Sequence, residues 1–185
     1  ISKKPYADFK LSCDSFSRML LAKGFKNAHT AIVGPTSYEW VVTFFGTGNC
    51  GGASIPLAAN ETDEMNTKLI AFDKKHESLY KCVKENVPSV KLYISLDNTG
   101  DGKDVLNISE LLKEYEGVYD GSPEPDEVCA IVFTSGTTGF PKGVMSTHKN
   151  YVYAAGSVHV ACPTTRMFCC LPIHHSFCFT GNITK

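Results

Sequence analysis

Val128-Cys129-Ala130-Ile131-Val132-Phe133 runs directly into Thr134-Ser135-Gly136-Thr137-Thr138-Gly139-Phe140-Pro141-Lys142-Gly143. The first six residues form an unbroken apolar run, which predicts a buried strand. The segment beyond them is dense in hydroxyls and glycines and carries a cation near its end. Thr134, Ser135, Thr137 and Thr138 carry hydroxyls, which add hydrogen-bond donors. Gly136, Gly139 and Gly143 supply backbone freedom and close approach, so that amide N–H groups can converge on an anion. Lys142 adds a full positive charge on a flexible stem. A strand that delivers these groups in this order predicts a grip for polyphosphate. An irregular surface loop accounts for Ser, Thr and Gly singly. It does not account for their order with Pro141-Lys142-Gly143 behind a buried strand.

Two common nucleotide loops fail on spacing. A Walker A loop needs Gly before its Lys and Ser or Thr after it, whereas Pro141 and Gly143 flank Lys142. A dinucleotide-binding loop needs Gly-x-Gly-x-x-Gly, and no such spacing surrounds Gly136 and Gly139.

Outward from the loop, helical and strand patterns alternate. Pro5 to Lys23 reads as a helix, with Pro5 suited to its first turn and Gly24 to its C-terminal cap. Phe9, Cys13, Phe16 and Leu20 fall on one face of it. Thr30 to Val33 is a short buried strand, and Thr36 or Ser37 caps a helix from Tyr38 to Asn49. Gly51-Gly52 ends that helix, and Ala53 to Pro56 is a second strand. Lys68 to Phe72 and Val90 to Leu96 are further strands around a helix from Lys75 to Asn86. Asn98 to Gly102 is a surface turn, and Ser109 caps a short helix ending at Tyr115. Residues 121–127 form the clearest connector, and another helix follows His148, with a strand at Met167 beyond it.

Strands separated by helices predict an α/β fold: a mostly parallel sheet with helices on both faces. The chain divides into a first α/β part (1–120), the connector (121–127), and a part carrying the phosphate loop and the start of a substrate pocket (128–185). About ten residues separate the Ile55 and Leu69 strands, which is minimal for a parallel crossover. Either that crossover is very short or residues are absent near Glu64-Asn66, and the same question arises at Cys162-Pro163.

The 185 residues carry a formal net charge of −1, so no global field favours nucleic acid or an anionic membrane. No apolar stretch approaches the ~20 residues that span a bilayer, and the N-terminus leads into no apolar signal core. The chain lacks an initiator Met and reads as part of a longer protein. Eight cysteines include no Cys-x-x-Cys pair, and most sit in apolar runs. Buried, reduced thiols in a cytoplasmic protein are the expectation. Cys169, Cys170, His174, His175 and Cys178 cluster in sequence, but their spacing fits no standard zinc finger.

Thr134 to Val144 closely resembles the signature loop of the adenylate-forming superfamily, which includes acyl-CoA synthetases, luciferases and the adenylation domains of peptide synthetases. Ile32 to Trp40, Gly51 to Leu57 and Leu171 to Phe177 resemble further segments of the same family, in order and spacing. The chain then corresponds to the N-terminal portion of the AMP-binding domain of an acyl-CoA synthetase, akin to a long-chain fatty-acid–CoA ligase. The resemblance implies attack of a carboxylate on the α-phosphate of Mg-ATP, followed by displacement of AMP by a thiol, usually that of CoA. Thr134, Ser135, Gly136, Thr137, Thr138, Gly139 and Lys142 would hold the departing pyrophosphate, and Lys142 and His175 would serve catalysis. His175, Phe177 and Cys178 would line the substrate pocket; Cys178 departs from the Gly that the family often has there. The Mg²⁺ ligand, a Glu, is expected beyond Lys185, as are the ribose-binding segment and the C-terminal domain. The isolated chain is therefore expected to show little synthetase activity. Alternatives are activation of an aryl or amino acid, a luciferase-like oxidation, a catalytically inactive phosphate- or nucleotide-binding fragment, and a pure interaction module.

Overall fold

Strand β1 (His29–Val33) is flanked on one side by β2 (Ser54–Pro56) and on the other by β3 (Thr67–Phe72). Beyond β3 lie β4 (Leu92–Ser95) and β5 (Leu106–Asn107); beyond β2 lie β6 (Val128–Thr134) and β7 (Lys142–Thr147). In this computed structural model residues 4–57, 67–134 and 142–161 are described, the last four by backbone alone. Every described neighbour pair is parallel except β6–β7, which is an antiparallel hairpin. The parallel strands therefore present their carboxyl ends along one edge, and Thr134 ends β6 at that edge.

Alternation along the strands sends side chains to two cores. Ile32, Leu69, Ala71, Ile94 and Ala130 face one core; Ala31, Val33, Ile55, Ile70 and Phe72 face the other. Helices α1 (Tyr6–Ala22), α2 (Tyr38–Asn49) and α4 (Ile108–Glu114) cover the first face with Phe16, Leu20, Trp40, Phe44, Ile108 and Leu111. Helix α3 (Glu77–Asn86) covers the second with Leu79, Tyr80 and Val83. Helix α5 (His148–Ala161) adds Tyr151 to the first. Helices lie on both faces, as the sequence implies. Each fully buried Ile, Leu or Phe contributes about 1.5–3 kcal/mol, so these layers, rather than the short β2 ladder, fix the sheet.

Helix α1 ends as expected: Gly24 has φ +79°, and the N–H groups of Gly24 and Phe25 bond the carbonyls of Leu21 and Leu20. Pro5 stands one position earlier than expected, at the N-cap, where its extended backbone needs no N–H. Ser37 caps α2 by accepting the Trp40 N–H at 3.1 Å. Helices α1 and α2 cross in close contact at Gly46, whose carbonyl accepts the buried Ser17 hydroxyl at 2.8 Å.

Some local readings are corrected. Ser109 does not cap α4; Asn107 holds the N-cap position and the Asn98 side chain accepts the Ser109 N–H at 2.9 Å. Asn98 can reach there because its own φ is +59°, a conformation Asn tolerates. The two-residue β5 carried no apolar alternation to announce it. Strand β7 begins at Lys142, inside what reads as loop in the sequence. Cys13, Cys50 and Cys129 are buried free thiols, but Cys82 is exposed on α3.

Candidate functional site

In sequence the phosphate loop links β6 to β7, which pair antiparallel. Thr134 and Lys142 are the pair nearest the loop, and the Thr134 hydroxyl donates to the Lys142 carbonyl at 3.4 Å. Both residues are exposed. Among the described residues no carboxylate pairs with Lys142. Ser135, Gly136, Thr137, Thr138 and Gly139 lie outside the described residues, as do His175, Phe177 and Cys178. The two places where the sequence raises the question of absent residues, Glu64-Asn66 and Cys162-Pro163, also fall outside them.

Gly143 acts by close approach. A Cβ there would lie 3.0 Å from Ile131 Cγ2 and 3.3 Å from Phe133 Cζ, so glycine lets both side chains fold across β7. The hairpin is held to the sheet mainly through β6, whose Ala130 pairs with Ser54 of β2. At its far end, β7 passes directly into α5 through Thr147-His148-Lys149-Asn150. Thr147 and Asn150 form a reciprocal cap: Asn150 Oδ1 accepts the Thr147 N–H at 2.9 Å, and Thr147 Oγ1 accepts the Asn150 N–H at 3.2 Å. The remaining free amides of the first turn are also satisfied. His148 N–H bonds the Glu127 carbonyl at 3.2 Å and Lys149 N–H that of Pro125 at 2.8 Å. The connector thus serves as the partner of α5.

A cavity of about 230 Å³ opens between hairpin and helix, lined by Val132, Thr134, Val144, Ser146, Asn150 and Tyr151 among others. Tyr151 packs edge-on against Phe44 at 6.1 Å. Burial pushes its phenol up to about 12, and burial pushes the Cys129 thiol up to about 11, so both stay neutral near pH 7. His148 is the titratable group that sequence reading missed. Burial lowers its pKa from the usual 6.5, against the Glu127 charge and the Gly48 carbonyl, which act to raise it. The signal available in the sequence was only its place between a strand and a helix.

A second polar cluster occupies the carboxyl ends of β3 and β4. Asp97 accepts the Lys74 N–H at 2.9 Å and the Ser95 and Thr99 hydroxyls at 2.9 and 2.8 Å. Asp73 pairs with His76 close by in sequence. Among the described residues no group of three or more His, Cys, Asp or Glu could hold a metal ion, and no helix is long and apolar enough to cross a membrane.

Fold and hairpin together define an α/β domain whose candidate site lies at the carboxyl edge of a parallel sheet. The chain belongs to the AMP-binding enzyme family, which matches residues 2–184. That family comprises adenylate-forming ligases, acyl-CoA synthetases among them. The chain is 34% identical over 199 residues to 4-coumarate–CoA ligase of Vanilla planifolia, covering 93% of this chain and 34% of the relative. It is 28% identical over 190 residues to long-chain-fatty-acid–CoA ligase 1 of Homo sapiens, covering 85% and 27%. It thus spans only about a third or less of these relatives. Among solved structures, that of the anthranilate CoA ligase AuaEII in complex with anthranoyl-AMP superposes with a TM-score of 0.87, at 18% identity, covering 97% of this chain and 37% of that one. A long-chain-fatty-acid-CoA ligase (FadD1) from Archaeoglobus fulgidus gives 0.79 at 20% identity, covering 97% and 38%. At such identities these likenesses concern the fold.

Proposed function

We propose that this chain supplies the pyrophosphate-gripping part of an AMP-forming acid–thiol ligase. The observation that carries this reading is the pairing of Thr134 with Lys142 at the carboxyl edge, which brackets a hydroxyl- and glycine-rich stretch of sequence between a hydroxyl and a cation. In the whole enzyme a carboxylate would attack the α-phosphorus of ATP, and the bond to the bridging oxygen would break. Acyl-adenylate and pyrophosphate would result, and the thiol of CoA would then displace AMP.

The negative charge that builds on the leaving pyrophosphate is what the hairpin is suited to stabilise. Lys142 and the hydroxyls of Thr134, Ser135, Thr137 and Thr138 neutralise and orient it; such positioning dominates phosphoryl chemistry. Mg²⁺ enters with ATP as part of the substrate. His175, Phe177 and Cys178 contribute to the acid pocket. The acid is a fatty or an aryl acid, since relatives named for both classes match over most of the chain. A cytoplasmic location suits the free thiols.

The test is ATP–pyrophosphate exchange by the full-length protein with a panel of fatty, aryl and amino acids. Exchange that depends on a fatty or aryl acid and collapses in Lys142→Ala is the expected result. Acid-independent ATP hydrolysis to ADP would sink the proposal.

A further inference from the structure

Hairpin and α5 meet the body of the domain at a narrow joint. Gly48, near the end of α2, lies beneath both His148 and Cys129. A Cβ on Gly48 would sit 3.3 Å from His148 Cε1 and 3.6 Å from Cys129 Cβ. The ring therefore rests on α2 at a point where a Cβ would press against it. The backbone leaves the ring little choice of place, because the Thr147–Asn150 cap and the bond from His148 N–H to Glu127 fix residue 148 itself. Within this joint Nε2 is buried and has no hydrogen-bond partner among the described residues. A neutral ring tolerates that, because one imidazole nitrogen can remain a bare acceptor. A protonated ring does not, since both nitrogens must then donate.

We propose that His148 is a positioning residue for the phosphate hairpin: its neutral ring, seated on Gly48, pins β7 and α5 to α2, and protonation unseats it. The functional consequence rests on the phosphate-gripping role proposed above. Lys142 opens the six-residue strand β7 and His148 directly follows its last residue, Thr147, so a shift at the joint is carried to the mouth of the hairpin. The groups around the ring are few. Glu127 of the connector and the Gly48 carbonyl favour the protonated form, while the Cys129 thiol and the Tyr151 phenol stay uncharged and give it no counter-charge. On its own helix Lys149 engages Asp126 at 3.7 Å. Burial outweighs the Glu127 charge and the Gly48 carbonyl together, so the folded joint holds its proton less tightly than a free histidine. Its stability is complete above pH 6.5 and declines as the pH falls below that value.

Two readouts on the 185-residue chain test this. The first is amide hydrogen exchange of residues 142–147, corrected for intrinsic rates and referenced to β1, at pH 7.5 and 5.5. The second is pyrophosphate affinity by calorimetry at the same pH values. Wild type should lose at least about fivefold in β7 protection between pH 7.5 and 5.5, the scale of an orphaned buried donor. His148→Ala should be open at both pH values. His148→Phe, which keeps a flat ring without a titrating nitrogen, should restore protection at both, and pyrophosphate affinity should follow protection throughout.

Unchanged β7 protection in His148→Ala, or the wild-type acid loss persisting in His148→Phe, overturns the pin. Affinity that ignores β7 protection overturns its role in phosphate binding. A wild type that shows the acid loss but binds no pyrophosphate at either pH supports the pin and refutes the phosphate reading instead.

Discussion

Replacing Gly46 by alanine tests the packing that places the whole site. A Cβ at this position would lie 2.8 Å from Phe16 Cβ, 2.9 Å from the Cys13 carbonyl oxygen and 2.9 Å from Phe16 Cδ1. Carbon–carbon contacts are optimal at about 3.5–4.0 Å, so the nearest one is short by roughly 0.7 Å. Two of the three obstacles are backbone or next to it, and a rotamer change cannot clear them. Helix α1 must move away from α2, and overpacking of this kind costs about 1–3 kcal/mol. The shift also stretches the buried Ser17–Gly46 hydrogen bond, whose net worth is about 1 kcal/mol. Alanine recovers about 0.5–1 kcal/mol as the better mid-helix residue.

The balance is a loss of about 2 kcal/mol, or a Tm lower by about 4–8 °C for a chain of this length. Urea unfolding followed by circular dichroism should show a lower midpoint at unchanged slope. A variant as stable as wild type, or more so, would mean that α1 and α2 do not cross this closely at Gly46. The placement of Gly48 under His148 would then be in doubt as well.

Ser37→Ala removes the acceptor for Trp40 N–H and should cost about 1 kcal/mol, whereas Ser37→Asp should be near neutral; thermal melts check both. Asp97→Asn should cost about 1 kcal/mol, a modest figure because the residue is exposed, and should expose the Lys74 turn to faster amide exchange. Burial acts to raise the Asp97 pKa, but the hydrogen bonds from Lys74, Thr99 and Ser95 prevail and hold it below 3.8. Its contribution is therefore present above pH 3.8 and lost as the pH falls through the lower folded value, so Asp97→Asn should flatten that part of the acid-unfolding curve.

How much of this was legible in the sequence varies with how local the deciding interactions are. Helix α2 reads off directly, because a Ser cap, an apolar stretch and a Gly-Gly stop all act within a few residues. The order of the strands does not, because β1 lies between β2 and β3, and pairing of that kind is set by packing of distant segments. Strand β7 was hidden for another reason. Lys142 and Gly143 belong by chemistry to the phosphate loop and by backbone to a strand, and the loop reading absorbed them. The Ser109 cap failed because a competing acceptor, Asn98, arrives from eleven residues away. At the site, the loop chemistry is legible in the residues themselves. The joint at Gly48, Cys129 and His148 is not, since it gathers residues from α2, β6 and α5.

The central claim is that the hairpin bracketed by Thr134 and Lys142 grips the phosphates that leave as pyrophosphate. Calorimetric titration of this chain with pyrophosphate, ATP and AMP, in wild type and Lys142→Ala, tests it most directly. Pyrophosphate and ATP should compete for one site and AMP should bind far more weakly. Lys142→Ala should weaken pyrophosphate by about 10- to 100-fold, the worth of a charged hydrogen bond. Equal binding of AMP and ATP, or pyrophosphate binding indifferent to Lys142, would contradict the account.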